Sequence, residues 1–140
     1  MNVRRSASAT TQPFPKSLYP AFATALRQQR NELLTELQEA SRAQVLSTRA
    51  PGNEGTSDTK DLAGQEIQMD ETAANIDRLR VEVAAVNQAI ERARLGTFGV
   101  CTRCGSNIPV ARLYAVPAAA SCTSCQQSAE HTAAATARAS

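Results

Sequence analysis

The sequence predicts a mainly α-helical protein: a long antiparallel coiled-coil hairpin joined to a small four-cysteine module, with a short helix at the C-terminus. Three observations carry this reading. Apolar residues over 69–93 alternate spacings of three and four. A run of helix breakers interrupts the chain at 49–57. All four cysteines fall after residue 100, in two Cys-x-x-Cys pairs.

Residues 1–16 (MNVRRSASATTQPFPK) are basic and rich in Ser and Thr, with no continuous apolar stretch. They read as a disordered tail and not as a secretory signal. Without an export signal the chain is expected in the cytoplasm, where thiols stay reduced.

The hairpin is expected over 17–95, with its tip near 49–63. Its first helix spans 17–48, with Ser17 as N-cap and Pro20 tolerated in the first turn. Phe22, Leu26, Leu33, Leu37 and Ala40 fall on one face, and Leu34 and Val45 widen it. Gln29 and Arg30 interrupt that stripe. Residues 49–57 (RAPGNEGTS) cannot continue a helix. Ser57 or Asp58 then caps a second helix over 58–95.

That second helix carries Met69, Thr72, Ile76, Leu79, Val83, Val86, Ile90 and Ala93 as a heptad seam. Gly96 closes it as the residue after the C-cap. At 1.5 Å rise per residue the arms span roughly 45–55 Å. A coiled-coil dimer would also bury the two stripes, but the central breaker and the unequal stripes favour a monomeric hairpin.

From 96 the periodicity stops, and a second module over 96–130 begins. Cys101-Thr-Arg-Cys104 and Cys122-Thr-Ser-Cys125 are separated by 17 residues. Each Cys-x-x-Cys turn points two sulfurs to one side and supplies half a tetrahedron. Two such turns make a C4 zinc ribbon holding one structural Zn²⁺ through Cys101, Cys104, Cys122 and Cys125, favoured over an iron–sulfur site and over a redox dithiol, which would want a βαβ unit that does not occur. Gly105 lets the first turn fold back. Four thiolates leave no position open for a substrate, and metal binding in so small a module contributes folding free energy. Residues 126–140 are alanine-rich and read as a short helix whose end, 131–140, frays into a tail.

Composition narrows the function. Hydrophobic residues make up 42% of the chain and aromatics 4%, so a thick enclosing core is not expected. Net charge is +2, from 15 Lys and Arg against 13 Asp and Glu. That balance, without basic–aromatic interleaving, argues against direct DNA binding. No stretch is apolar enough for a membrane span. His131 is the single histidine, and no P-loop, dinucleotide fingerprint or nucleophile elbow occurs. The chain is not expected to be an enzyme.

Charge is unevenly spread. Residues 54–82 hold eight acids against three bases, whereas 83–140 hold two acids against five arginines. Asp58 and Asp61 stand at the tip, three residues apart and on one helical face. They serve either as helix-start acids that offset the dipole, or as carboxylates presented to a cationic or metal-containing site on a partner. Spacing alone does not decide between the two.

Beyond the cysteines, Gly96-Thr-Phe-Gly-Val-Cys101, Cys104-Gly105-x-x-Ile108, Arg112-Leu113-x-Ala115-x-Pro117 and Cys122-x-x-Cys125-Gln126 resemble the DksA/TraR family of C4-type zinc finger proteins. Asp58-Thr-Lys-Asp61-Leu-Ala63 is similar to that family's DxxDxA tip motif. The resemblance covers about 17–130. It implies a transcription regulator that binds bacterial RNA polymerase directly, with the hairpin in the secondary channel and the zinc module on its rim. Asp58 and Asp61 would then be the effector carboxylates, and Ala63 a small residue allowing close approach. Strongly ppGpp-responsive members carry basic residues where this chain has Ala85, Val116 and Gln126. The resemblance therefore implies weak or absent ppGpp synergy. The alternative is a zinc-ribbon adaptor that pairs with another protein through its coiled coil.

Overall fold

The computed structural model describes residues 12–49 and 59–139, with 59–63 as backbone alone. A short 3-10 turn, Lys16–Leu18, leads into α1, Tyr19–Arg49 (31 residues). The second long helix, α2, is Thr59–Leu95 (37 residues). Two shorter helices follow, α3 at Val110–Ala115 and α4 at Thr123–Arg138. The architecture is the expected hairpin with a small cysteine-bearing module and a C-terminal helix. Among the described residues the extended structure amounts to one antiparallel bridge between Val100 and Asn107.

Helix starts and stops have local causes. The 3-10 turn sets the start of α1, with Pro15 as the cap residue and Ser17 inside the turn. The expected Ser17 cap is thus corrected, because the turn begins one residue earlier and draws Ser17 into it. At the other end, Gly96 takes φ +75. Thr97 N–H donates to Arg92 O at 2.9 Å and Gly96 N–H to Ala93 O at 3.3 Å. This pair of bonds is the Schellman motif, and it satisfies two carbonyls that the helix end leaves over. Ser57, Asp58 and the breaker segment from 50 lie outside the described residues.

The chain divides into two units. One is Gln28–Ala84, which takes in the latter part of α1 and the first part of α2. Its buried side chains are Leu33, Ile76 and Leu79, with Leu37, Ala40, Thr72 and Val83 half-buried. The heptad seam therefore holds from Thr72 onwards. Met69, at 45% exposure, falls outside it, as do Leu34 and Val45, which were expected to widen the α1 face. A two-helix layer covers one stripe per helix, so apolar residues on flanking positions stay in water.

The other unit joins the start of α1, up to Arg27, with Ala85–Ser140. Within it Tyr19 Oη donates to Phe98 O at 3.2 Å, which places the start of α1 beside the end of α2. Its core contains Phe14, Phe22, Leu26, Val86, Ala89, Phe98, Ile108 and Leu113. All three phenylalanines and both tyrosines of the chain meet here. Phe14 packs edge-on against Tyr19, Phe22 and Phe98, with centroids 5.1–5.2 Å apart. Such T-shaped pairs add to the area term. Phe14 was expected in the disordered tail, yet it is buried, because the segment from 12 returns onto Phe98 and Gly99.

Candidate metal centre

The module that follows α2 is built on tight backbone turns. Gly99 and Gly105 take φ +82 and +73, a region that favours glycine. Gly105 N–H donates to Cys101 O at 2.9 Å and Cys101 N–H to Ser106 O at 2.8 Å. These bonds close the first Cys-x-x-Cys turn, and Gly105 supplies the reversal expected of it. The second turn opens α4: Cys122 is its N-cap residue, and Gln126 N–H donates to Cys122 O at 3.0 Å.

The two turns converge. The sulfurs of Cys101, Cys104, Cys122 and Cys125 all lie within 4.8 Å of one another. Cys104 Sγ and Cys122 Sγ are 3.8 Å apart. A tetrahedral zinc with Zn–S near 2.3 Å requires sulfurs about 3.8 Å apart. The donor set and its spacing fit one Zn²⁺, and all four sequence-predicted ligands are brought together. Cys101 is buried, Cys122 and Cys125 are half-buried, and Cys104 is exposed.

The thiols are not equivalent. Burial opposes ionisation of Cys101, but amide hydrogen bonds from Cys122, Cys104 and Arg103 outweigh it and lower its pKa to about 6. The hydroxyl and amide of Ser106 hold Cys104 below the usual thiol range. Hydrogen bonding with the Cys122 and Cys104 side chains pushes Cys125 up to about 12. Amide donors aimed at sulfur are what a bound thiolate needs once metal replaces the protons.

Arginines brace the centre. Arg103 Nη1 donates to Cys125 O at 3.1 Å and joins the first turn to the second. Arg112 Nε donates to Ser121 O at 3.1 Å, next to Cys122. Arg92, at the end of α2, reaches Ala118 O at 3.4 Å and Ala119 O at 3.5 Å. Its half-buried position lowers its pKa. Sequence reasoning gave Arg92 no role. It stands 26 residues from Ala118, with no motif linking them.

The other predicted site residues stand apart from this centre in the chain. Asp61 and Ala63 belong to the first turns of α2, and Asp58 lies outside the described residues. Of the three rim positions, Ala85 is half-buried, and Val116 and Gln126 are exposed. Gln126 Nε2 donates to Glu130 at 2.8 Å. Among the described residues no helix is long and apolar enough to cross a membrane.

Residues 96–131 match the prokaryotic dksA/traR C4-type zinc finger. The chain is 39% identical over 67 residues to an uncharacterized protein of Aquifex aeolicus (strain VF5), covering 45% of this chain and 46% of that one. It is 46% identical over 48 residues to general stress protein 16O of Bacillus subtilis (strain 168), covering 34% of this chain and 28% of that one. It thus spans less than half the length of these curated relatives. The structure of transcription factor DksA2 from Pseudomonas aeruginosa is similar, with a TM-score of 0.68 at 25% identity, over 83% of this chain and 85% of that one.

Proposed function

We propose that this DksA-like chain, with its dksA/traR C4-type zinc finger, is a transcription regulator that binds bacterial RNA polymerase directly. The observation that carries the reading is the likeness to transcription factor DksA2, which extends over 83% of this chain and so takes in hairpin and cysteine module together. The zinc module rests on the rim of the secondary channel, and the hairpin tip enters it. Asp58 and Asp61 bring carboxylates close to the catalytic centre, where they act on its metal and basic groups and change the lifetime of promoter open complexes. Ala63 keeps the approach narrow.

Each part has a physical reason. Zinc, once bound, fixes the two cysteine turns, so the module offers one rigid surface to the rim. The acids at the start of α2 offset the positive end of the helix dipole when free, and face cations when docked. The protein acts as a monomer and reads no DNA sequence itself. It responds weakly to ppGpp. That nucleotide needs Lys or Arg against its phosphates, and this chain offers Ala85, Val116 and Gln126 instead. Glu130, hydrogen-bonded to Gln126, adds an acid there.

The test is photocrosslinking from a benzoylphenylalanine placed at Thr59, with zinc-loaded protein and purified RNA polymerase. The reading expects crosslinks inside the secondary channel, near the active centre. Crosslinks confined to the outer surface, or to another protein, would instead indicate an adaptor acting through its coiled coil.

A further inference from the structure

Four consecutive carbonyls lead into Cys122, and each accepts a hydrogen bond. Ala118 O and Ala119 O accept from Arg92 Nη2 on α2. Ala120 O accepts from both the amide and the hydroxyl of Thr102, at 2.9 and 3.0 Å, within the first cysteine turn. Ser121 O accepts from Arg112 Nε on α3. The segment has no ladder of its own, so these donors fix its path. Its path fixes where Cys122 Sγ stands relative to Cys104 Sγ, 3.8 Å away.

We propose that Arg92 is a positioning residue for the metal centre, and that it couples zinc binding to the last turn of α2. Arg92 is a member of that turn, and its own carbonyl accepts the Thr97 amide that closes the helix. One residue therefore joins the helix cap through its backbone and the approach to Cys122 through its side chain. Thr102 ties the same segment to the first pair of ligands. Metal held by both cysteine turns keeps 118–121 in place, which holds the Arg92 side chain and with it the end of the hairpin. Removing the guanidinium leaves Ala118 O and Ala119 O without these donors and loosens the second pair of ligands. Groups hydrogen-bonded directly to a metal ligand contribute roughly 10–100-fold in metal affinity; Arg92 acts one step further out, through Ala118 O and Ala119 O, so its share is smaller.

The test compares full-length wild type, R92M and R92K by chelator competition for zinc, with Co²⁺ spectra to confirm thiolate coordination and circular dichroism of the zinc-free proteins. R92M should bind zinc about 3–10-fold more weakly, at or below the low end of the range for direct partners of ligands, with the helix content of the zinc-free protein unchanged. R92K should recover part of the loss, because its ammonium can donate to one of the two carbonyls. Unchanged zinc affinity in R92M overturns the proposal, as does an equal loss in R92K and R92M. If R92M does not fold, hydrogen exchange of the wild type decides. Chelation should speed exchange at the Gly96 and Thr97 amides and leave Ile76–Leu79 unaffected. Equal protection of Gly96 and Thr97 with and without zinc overturns it as well.

Discussion

Gly99 and Phe14 are in direct contact: a Cβ added at Gly99 would lie 2.6 Å from the Phe14 Cβ. Gly99 also takes φ +82, so any side chain there is strained as well as crowded. Gly99→Ala should cost about 2–4 kcal/mol of stability. Urea denaturation of the zinc-loaded protein measures it. Pairing it with Phe14→Gly should give less than the sum of the two single losses, because the Phe14 Cβ that the new side chain meets is then gone.

The aromatic cluster has a centre and an edge. Phe98 is 1% exposed and packs against Phe14, Tyr19 and Phe22. Tyr114 is 64% exposed and touches Phe22 alone among the rings. Phe98→Ala should cost about 3–5 kcal/mol, and Tyr114→Ala about 1 kcal/mol. Equal losses in thermal denaturation would show that the cluster does not carry the core of this unit.

Zinc affinity should rise with pH. Without metal, Cys125 keeps its proton up to about 12, so binding zinc displaces it across the whole accessible range. That alone makes affinity fall about tenfold per unit of acidification. Cys101 ionises at about 6. Below that value its proton must be displaced too, and the dependence steepens by about a further tenfold per unit. Chelator competition at pH 8, 7 and 5.5 measures the slope; a slope that flattens below pH 6 contradicts these assignments.

Gly64 lies within α2, with nothing within 4 Å of the position a Cβ would take. Glycine in an exposed helix interior costs conformational entropy for no contact. Gly64→Ala should stabilise the protein by about 0.5–1 kcal/mol, read as a raised urea midpoint. A loss of stability would mean that this part of α2 is not a free helix face.

Much of the fold was legible because its signals are local. The seam of Ile76, Leu79 and Val86 is a periodic pattern within one helix, and Gly96 and Gly105 mark turns at their own positions. The cysteine ligands follow from spacing. What escaped depends on residues far apart in sequence. Phe14, Phe22, Phe98 and Tyr114 share no period, so their meeting could not be read from any window. Ala89 is fully buried, yet it is not one of the heptad positions. Arg103 and Arg112 donate to the backbone carbonyls of Cys125 and Ser121, at and beside the ligands, and no local pattern announces either bond. Met69, Leu34 and Val45 fit an apolar pattern and are exposed, since two helices cover only the facing stripe of each other.

The most direct test of the proposed function is transcription in vitro from a ribosomal RNA promoter. It compares the zinc-loaded wild type with Asp58→Asn/Asp61→Asn, each with and without ppGpp. The wild type should change transcription, the double variant should lose the effect while still binding polymerase, and ppGpp should add little. A folded, zinc-loaded wild type without effect, or a double variant as active as wild type, would contradict the proposed function.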